Sequence, residues 1–393
     1  MKLSKSIPHI AVIGAGSFGG WTALHLLERG ARVTLIDAWG PGNSRSSSGG
    51  ETRVMRGTYG PDQPYTELAA RALKLWAKYE RRWKRQFLHR SGVLWMAKGR
   101  DDAFERGSTE MLREAKIRYQ ELSATQLRKR WPQINFEGVE WGIFEPDCGY
   151  LDARASCGAV VEAFVALGGQ YRQYAVPIME LGDSQTLFNQ QSTIKNQPFL
   201  SLSEGSQLKA DCYIFACGPW LGQLFRHTIG SLIRPTKQDV FFFGTPAGDT
   251  RFHDPNIPVW ADHREKFRYG IPGGGRRGFK IADDTRGPQF DPTNGERVVN
   301  PEMLKDVRDY IAFRFPALRH APLLEIRVCQ YEQTPDSHFI LDRHPKNENV
   351  WLVGGGSGHG FKHGPAIGEL MAELVLKDRV PLRIWRLARF ARA

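Results

Sequence analysis

The chain has 393 residues, 41% of them apolar and 24% charged, proportions that exclude a disordered, collagen-like or coiled-coil polymer. At roughly 150 residues per domain, two or three domains are expected, and a mini-protein dependent on cross-links is ruled out. Lysine and arginine outnumber aspartate and glutamate by 54 to 42, leaving a net charge of +12 that suits an anionic partner without choosing among nucleic acid, membrane and small ligand. Five cysteines (Cys148, Cys157, Cys212, Cys217 and Cys329) form no CxxC pair and lie in no histidine cluster, so neither a metal site nor a disulfide framework is expected. That usage points to a reducing compartment.

Lys2 and Lys5 precede an apolar stretch, as in a secretory leader, but Gly14, Gly16, Gly19 and Gly20 interrupt it and an amphipathic pattern follows. No apolar run approaches the ~20 residues of a membrane span, so a soluble, cytoplasmic protein is expected. Residues 9–14 (HIAVIG) read as a strand, Trp21 to Arg29 as a helix, and ARVTLID as a second strand ending at Asp37. The Gly, Ser and Pro-rich stretch 40–64 reads as a loop. From Thr66 to Arg85, Leu68, Ala72, Leu75, Trp76 and Tyr79 recur at helical spacing. A strand is expected around Gly92 to Met96, mostly helix over 101–131, and a strand running into a turn over 140–150. A helix from Asp152 to Leu167, a strand near Gln170 to Tyr174 and the apolar strand CYIFACG (212–218) follow. Residues 235–285 read as several short strands broken at Gly273 to Gly275. A helix over 302–314, strands over 325–334 and 350–354, and a helix from Pro365 complete the pattern, which suggests two interleaved domains.

Gly14, Gly16 and Gly19 spell G-x-G-x-x-G at a strand-to-helix junction, and Asp37 ends the next strand. The first glycine permits a tight turn, the second lets backbone N–H groups approach a pyrophosphate, and the third lets helix and strand pack closely. The acid is placed for ribose hydroxyls. This pattern points to a dinucleotide and leaves FAD and NAD both open.

Four further segments narrow it: GGETRVMR at Gly49 to Arg56, ACGPW at Ala216 to Trp220, RVCQY at Arg327 to Tyr331, and GGGSGHGFKH at Gly354 to His363. With the N-terminal motif they resemble, over nearly the whole chain, the monomeric sarcosine oxidase and N-methyl amino acid oxidase group of the D-amino acid oxidase-like flavoproteins. The resemblance implies an α/β fold with a Rossmann-like FAD-binding domain (1–85, 145–225 and 325–393) interleaved with a mixed-sheet substrate or catalytic domain (86–144 and 226–324). It implies an FAD-dependent oxidase that converts a secondary or tertiary, N-alkyl or cyclic, amino acid to an imine while O2 becomes H2O2. A dehydrogenase passing electrons to another acceptor and a flavin hydroxylase are the alternatives. A monomer binding only a small amine and O2 is implied, with no nucleic acid or membrane partner.

Residue by residue, the resemblance makes Cys329 the sulfur bonded covalently to the flavin. It lays Arg53 against the flavin ring and gives the substrate carboxylate to Arg56 and Lys362, where two cations supply charge-assisted hydrogen bonds. The turn Gly358, Gly360, Phe361, Lys362 faces the flavin where negative charge gathers on reduction. His359 and the pocket residue Tyr331 lie beside it, and Lys280 promotes the reaction of the reduced cofactor with oxygen. Ser17, Phe18, Ser48, Thr52, Cys217, Gly218 and Trp220 complete the implied cofactor contacts. Two departures stand out. Asp284 replaces a family histidine four residues after the lysine, and Arg268 stands where the family has tyrosine. Both change the charges a substrate meets, so sarcosine itself is not the expected substrate and a larger or more polar amine is.

Overall fold

In the computed structural model, residues 7–99, 101–177, 199–263, 265–273 and 277–391 are described. The fully apolar run β1 (His9–Ile13) continues through a glycine turn into α1 (Ser17–Glu28), and the chain returns as β2 (Arg32–Ile36), parallel to β1 with Ile10 opposite Val33. Within the segment expected to be loop lies β3 (Thr52–Met55). It is a strand because β8, nearly a hundred residues later, supplies its hydrogen-bond partners. Next come α2 (Gln63–Trp83), β4 (Leu88–His89), β5 (Val93–Ala97), α3 (Ala103–Glu114), β6 (Gln120–Ser123) and α4 (Ala124–Arg130). Residues 101–131 are mostly helical as expected, with β6 as a short strand between the two helices. This stretch is followed by β7 (Trp141–Glu145), β8 (Gly149–Asp152), α5 (Ala153–Ala166), β9 (Gln170–Arg172), β10 (Phe199–Ser201), β11 (Gln207–Lys209) and β12 (Cys212–Phe215). The short helices α6 (Leu221–Leu224) and α7 (Arg226–Ile229) lead to β13 (Arg234–Phe243), β14 (Val259–His263), β15 (Phe267–Ile271), β16 (Phe279–Asp283) and α8 (Pro301–Arg314). The chain ends with β17 (Leu323–Gln333), β18 (Ile340–His344), β19 (Asn347–Gly354) and α9 (Gly364–Leu376). The glycines expected to break the strands at 273–275 lie mostly outside the described residues.

The strands form a six-stranded sheet in the order β18-β19-β12-β1-β2-β9, parallel except for its β18 edge. An eight-stranded mixed sheet runs β17-β13-β16-β15-β14-β5-β7-β6, and a small antiparallel sheet runs β3-β8-β4. Residues 325–333, expected with the nucleotide-binding region, belong instead to the eight-stranded sheet, because β17 pairs along its length with β13.

Helices cover the six-stranded sheet, and α1 packs against α5 and α9. A Cβ on Gly368 of α9 would stand 2.5 Å from the Trp21 carbonyl carbon, so only glycine admits that helix contact. Trp21 meets Trp76 edge-on at 5.3 Å and stacks on Trp83 at 5.6 Å. A buried ring of this size removes some 150–250 Å² from water, about 4–6 kcal/mol of transfer free energy. Behind the second sheet, Trp260, Phe279 and Phe315 pack together. There the fully buried Arg314 pairs with Asp262, which also accepts a 2.8 Å bond from the Tyr310 hydroxyl. No helix among the described residues is long and apolar enough to cross a membrane.

Candidate active site: two cavities sharing one wall

At the C-terminal end of β1 the backbone turns sharply. Gly14 has φ +106°, and a Cβ there would lie 2.3 Å from the Ala216 carbonyl oxygen. A Cβ on Gly19 would lie 1.8 Å from the Gly14 carbonyl oxygen, so helix and strand approach more closely than a side chain allows. Gly16 is the N-cap of α1 and has no side chain to bond the first-turn N–H groups. Beside that end opens a cavity of about 390 Å³ lined by Gly14, Gly16, Ser17, Phe18, Asp37, Ser48, Cys217, Gly218 and Trp220. Gly358, Gly360 and Phe361 line it from the other side. Ser48 Oγ accepts from the Ser17 N–H at 3.1 Å, tying the serine-rich loop to the helix start. Asp37 accepts from the backbone N–H groups of Ala15 and Gly40 at 2.7 and 2.8 Å. Oδ1 also accepts from the Trp39 N–H at 2.9 Å, so the spare lone pair is the second one on Oδ2.

Two buried polar atoms on this wall have no hydrogen-bond partner among the described residues: Glu332 Oε2 and Ser47 Oγ. Burial pushes the Glu332 carboxyl up to about 7. An apolar ligand would leave both atoms uncompensated. A long ligand bearing hydroxyls and phosphates suits this wall, so these residues fit FAD.

A smaller pocket adjoins this cavity, and the two share Arg53, Tyr331, Gly358 and Phe361. Its remaining polar wall is Arg56, Asp284, His359 and Lys362, set among Val93, Val259, Trp260, Phe267 and Tyr269. Strand register explains this grouping. Cross-strand pairs Tyr269–Ala282, Ile271–Lys280, Val240–Ala282, Gln238–Cys329 and Thr236–Tyr331 put Tyr269, Lys280, Cys329 and Tyr331 on one face of the eight-stranded sheet, and Asp284 extends it just past β16.

Arg268 therefore points the other way. Its guanidinium bonds Asp306 of α8 at 2.8 Å and lies over the Tyr310 ring at 4.8 Å. The expectation of Arg268 as a substrate contact is corrected: the neighbouring Tyr269 faces the pocket, since adjacent strand residues occupy opposite faces.

Arg56 lies over the Tyr59 and Trp95 rings at 4.4 and 5.2 Å. Its turn is held by Glu145, fully buried at the end of β7, which accepts from the Gly57 N–H at 2.6 Å and from the Thr58 N–H and hydroxyl at 3.2 and 2.6 Å. Lys362 Nζ donates to the Tyr59 hydroxyl and the His359 carbonyl oxygen, both at 2.9 Å, and burial with Arg56 nearby holds its amine well below the ordinary lysine range. Burial also drops His359 to about 3, so its ring is neutral. The Tyr331 hydroxyl donates to Asp284 Oδ1 at 2.6 Å, and burial raises that carboxyl to about 6.

Three expected residues stand behind the walls rather than on them. Cys329 Sγ lies 3.4 Å from the Arg53 guanidinium. Lys280 Nζ donates to the Thr52 carbonyl oxygen at 3.0 Å, and burial with Arg53 nearby lowers it to about 7. Thr52 itself holds that ammonium and lines neither cavity. Sequence reasoning missed Glu145, Tyr59, Tyr269, Glu332 and His363. For Glu145 the signal was an ionisable residue closing an apolar strand.

Comparison with known proteins agrees with this geometry. Residues 9–374 match the family model described as FAD dependent oxidoreductase. Monomeric sarcosine oxidase of Bacillus sp. (strain B-0618) is 29% identical over 375 residues, covering 94% of this chain and 92% of the relative. Peroxisomal sarcosine oxidase of Homo sapiens is 28% identical over 404 residues, covering 100% of both. Among solved structures, L-proline dehydrogenase from P. horikoshii superposes with a TM-score of 0.81 at 21% identity, over 99% of this chain and 98% of that one.

Proposed function

This chain belongs to the FAD dependent oxidoreductase family, and from that premise we propose that it is an amine oxidase acting on a secondary or tertiary, N-alkyl or cyclic, amino acid. The product is an imine, which water hydrolyses, and O2 is reduced to H2O2. One observation carries this reading: a cavity lined by the dinucleotide-type glycine turn and a small pocket holding Arg56 and Lys362 meet at Arg53, Tyr331, Gly358 and Phe361. FAD, when bound, supplies a hydride acceptor for the carbon beside the amine nitrogen and passes the electrons to oxygen.

The chain's own residues do the rest. The glycine turn and the start of α1, whose N-cap Gly16 has no side chain, receive the pyrophosphate, and Asp37 and Glu332 accept hydrogen bonds from sugar hydroxyls. Arg56 and Lys362 take the substrate carboxylate, and the rings of Phe267 and Tyr269 exclude water around the reacting carbon. In this reading Cys329 forms the covalent flavin link, and the Lys280 ammonium offsets charge developing on oxygen. The relatives named monomeric sarcosine oxidase support reading this chain as a monomer too.

The test is a panel of N-alkyl and cyclic amino acids offered to the FAD-loaded protein, with flavin bleaching and peroxide both recorded. Bleaching with peroxide is expected. Bleaching without peroxide would make the protein a dehydrogenase, and no bleaching by any amine would refute the reading.

A further inference from the structure

The small pocket holds one group that neither cofactor retention nor carboxylate binding uses. Asp284 follows β16 and is anchored by its own N–H, which donates to the Phe267 carbonyl oxygen at 2.7 Å. Oδ1 accepts from Tyr331 at 2.6 Å, while Oδ2 takes no hydrogen bond among the described residues although the residue lines the pocket. Arg56 and Lys362 act on it electrostatically from the facing wall. The pocket thus sets an arginine and a lysine against one carboxylate, with a neutral His359 and an otherwise largely aromatic and aliphatic lining.

That arrangement mirrors a zwitterion. A carboxylate seated on Arg56 and Lys362 leaves the substrate's ammonium on the side of the anionic oxygen. An ammonium has no lone pair to assist loss of hydride from the neighbouring carbon, so its proton must first leave.

We propose that Asp284 is the amine-recognition and proton-accepting residue of this pocket, selecting compounds in which a protonated amine lies beside a carboxylate. This rests on the amine-oxidase reading. On binding, the ammonium N–H pairs with Oδ2. The N–H bond then breaks, the proton passes to Oδ2, and the electron pair stays on nitrogen, ready to form the C=N bond as the neighbouring C–H is oxidised. A carboxyl that burial has raised to about 6 is matched to such a transfer better than an exposed aspartate would be. The Tyr331 hydroxyl keeps Oδ1 occupied and turns Oδ2 toward the ligand.

The experiment compares two ligands of one shape, N,N-dimethylglycine and 3-methylbutanoate, which differ by an ammonium in place of a C–H. Both are titrated calorimetrically into FAD-loaded protein reduced with dithionite under anaerobic conditions, so that binding is read without turnover. Wild type is expected to bind N,N-dimethylglycine at least tenfold more tightly than 3-methylbutanoate. Asp284→Asn is expected to remove that preference, weakening N,N-dimethylglycine tenfold or more while 3-methylbutanoate stays within about threefold, and Asp284→Glu should restore part of it. Equal weakening of both ligands, or no preference in wild type, would overturn the proposal, because Asp284 would then only shape the pocket. If neither ligand binds wild type, the carboxylate seat falls and the amine-oxidase reading falls with it. Peroxide from an amine panel without any ammonium preference would sink only the role of Asp284.

Discussion

Replacing Glu145 with glutamine probes the support of the carboxylate seat without touching the ligand. The side chain is 0% exposed and accepts from the Gly57 N–H, the Thr58 N–H, the Thr58 hydroxyl and the Cys148 thiol. Glutamine retains one acceptor oxygen, which can serve Thr58, but its amide NH2 then confronts the Gly57 N–H, donor against donor. The loss is one hydrogen bond to a charged acceptor, about 1.5–3 kcal/mol, plus an unsatisfied buried N–H, about 1–3 kcal/mol. A destabilisation of about 2.5–6 kcal/mol is therefore expected, read as a lowered urea midpoint. Gly57 follows Arg56 directly, so the guanidinium loses its register, and 3-methylbutanoate should bind about tenfold more weakly, equivalent to about 1.4 kcal/mol. The reasoning is refuted if Glu145→Gln unfolds within about 0.5 kcal/mol of wild type and binds the ligand unchanged.

Three other outcomes are expected. Acid precipitation of wild-type protein should leave the yellow chromophore in the pellet, whereas Cys329→Ala should release it to the supernatant while still binding FAD; colour released from wild type would remove the covalent link. Lys280 titrates near 7, so its ammonium is present below that pH and lost above it. Reoxidation of the reduced protein by O2 should slow as pH rises through 7, and in Lys280→Met it should be slower by tenfold or more and lack that pH dependence, as stopped-flow measurement would show. His359 titrates near 3 when folded against 6.5 for a free ring, so between these values the unfolded chain takes up a proton that the folded one refuses. Stability should fall as pH drops below 6.5, and His359→Gln should flatten that slope in urea titrations at pH 7 and pH 5.

The nucleotide turn was legible in the sequence because β1, the glycines, α1 and β2 follow one another and Gly19 answers a contact within that unit, even though Gly14 clears the distant Ala216. β3 was not legible, because its serine and glycine-rich surroundings signal loop and its strand character comes from β8, far along the chain. Arg268 shows how sharply strand alternation acts. A displacement of one residue moves a cation from the pocket to α8 and puts the Tyr269 ring in its place. The three strands that carry Tyr269, Lys280, Cys329 and Tyr331 are brought onto one face through β13, which pairs at long range with β16 and β17, and no periodicity within any of them discloses that register. Tyr59, within a stretch expected to be loop, and His363 carried no signal of their own; only the fold brings the Tyr59 hydroxyl within 2.7 Å of His363 Nε2 and 2.9 Å of Lys362 Nζ.

Arg53 borders both chambers. A partition that includes one guanidinium touching both rooms, tied to the Thr52 and Ser47 carbonyl oxygens, lets the charge and position of either occupant act on the other. The affinity for an amine and the tightness with which the nucleotide is gripped are then linked quantities, each shifting the other by the same factor.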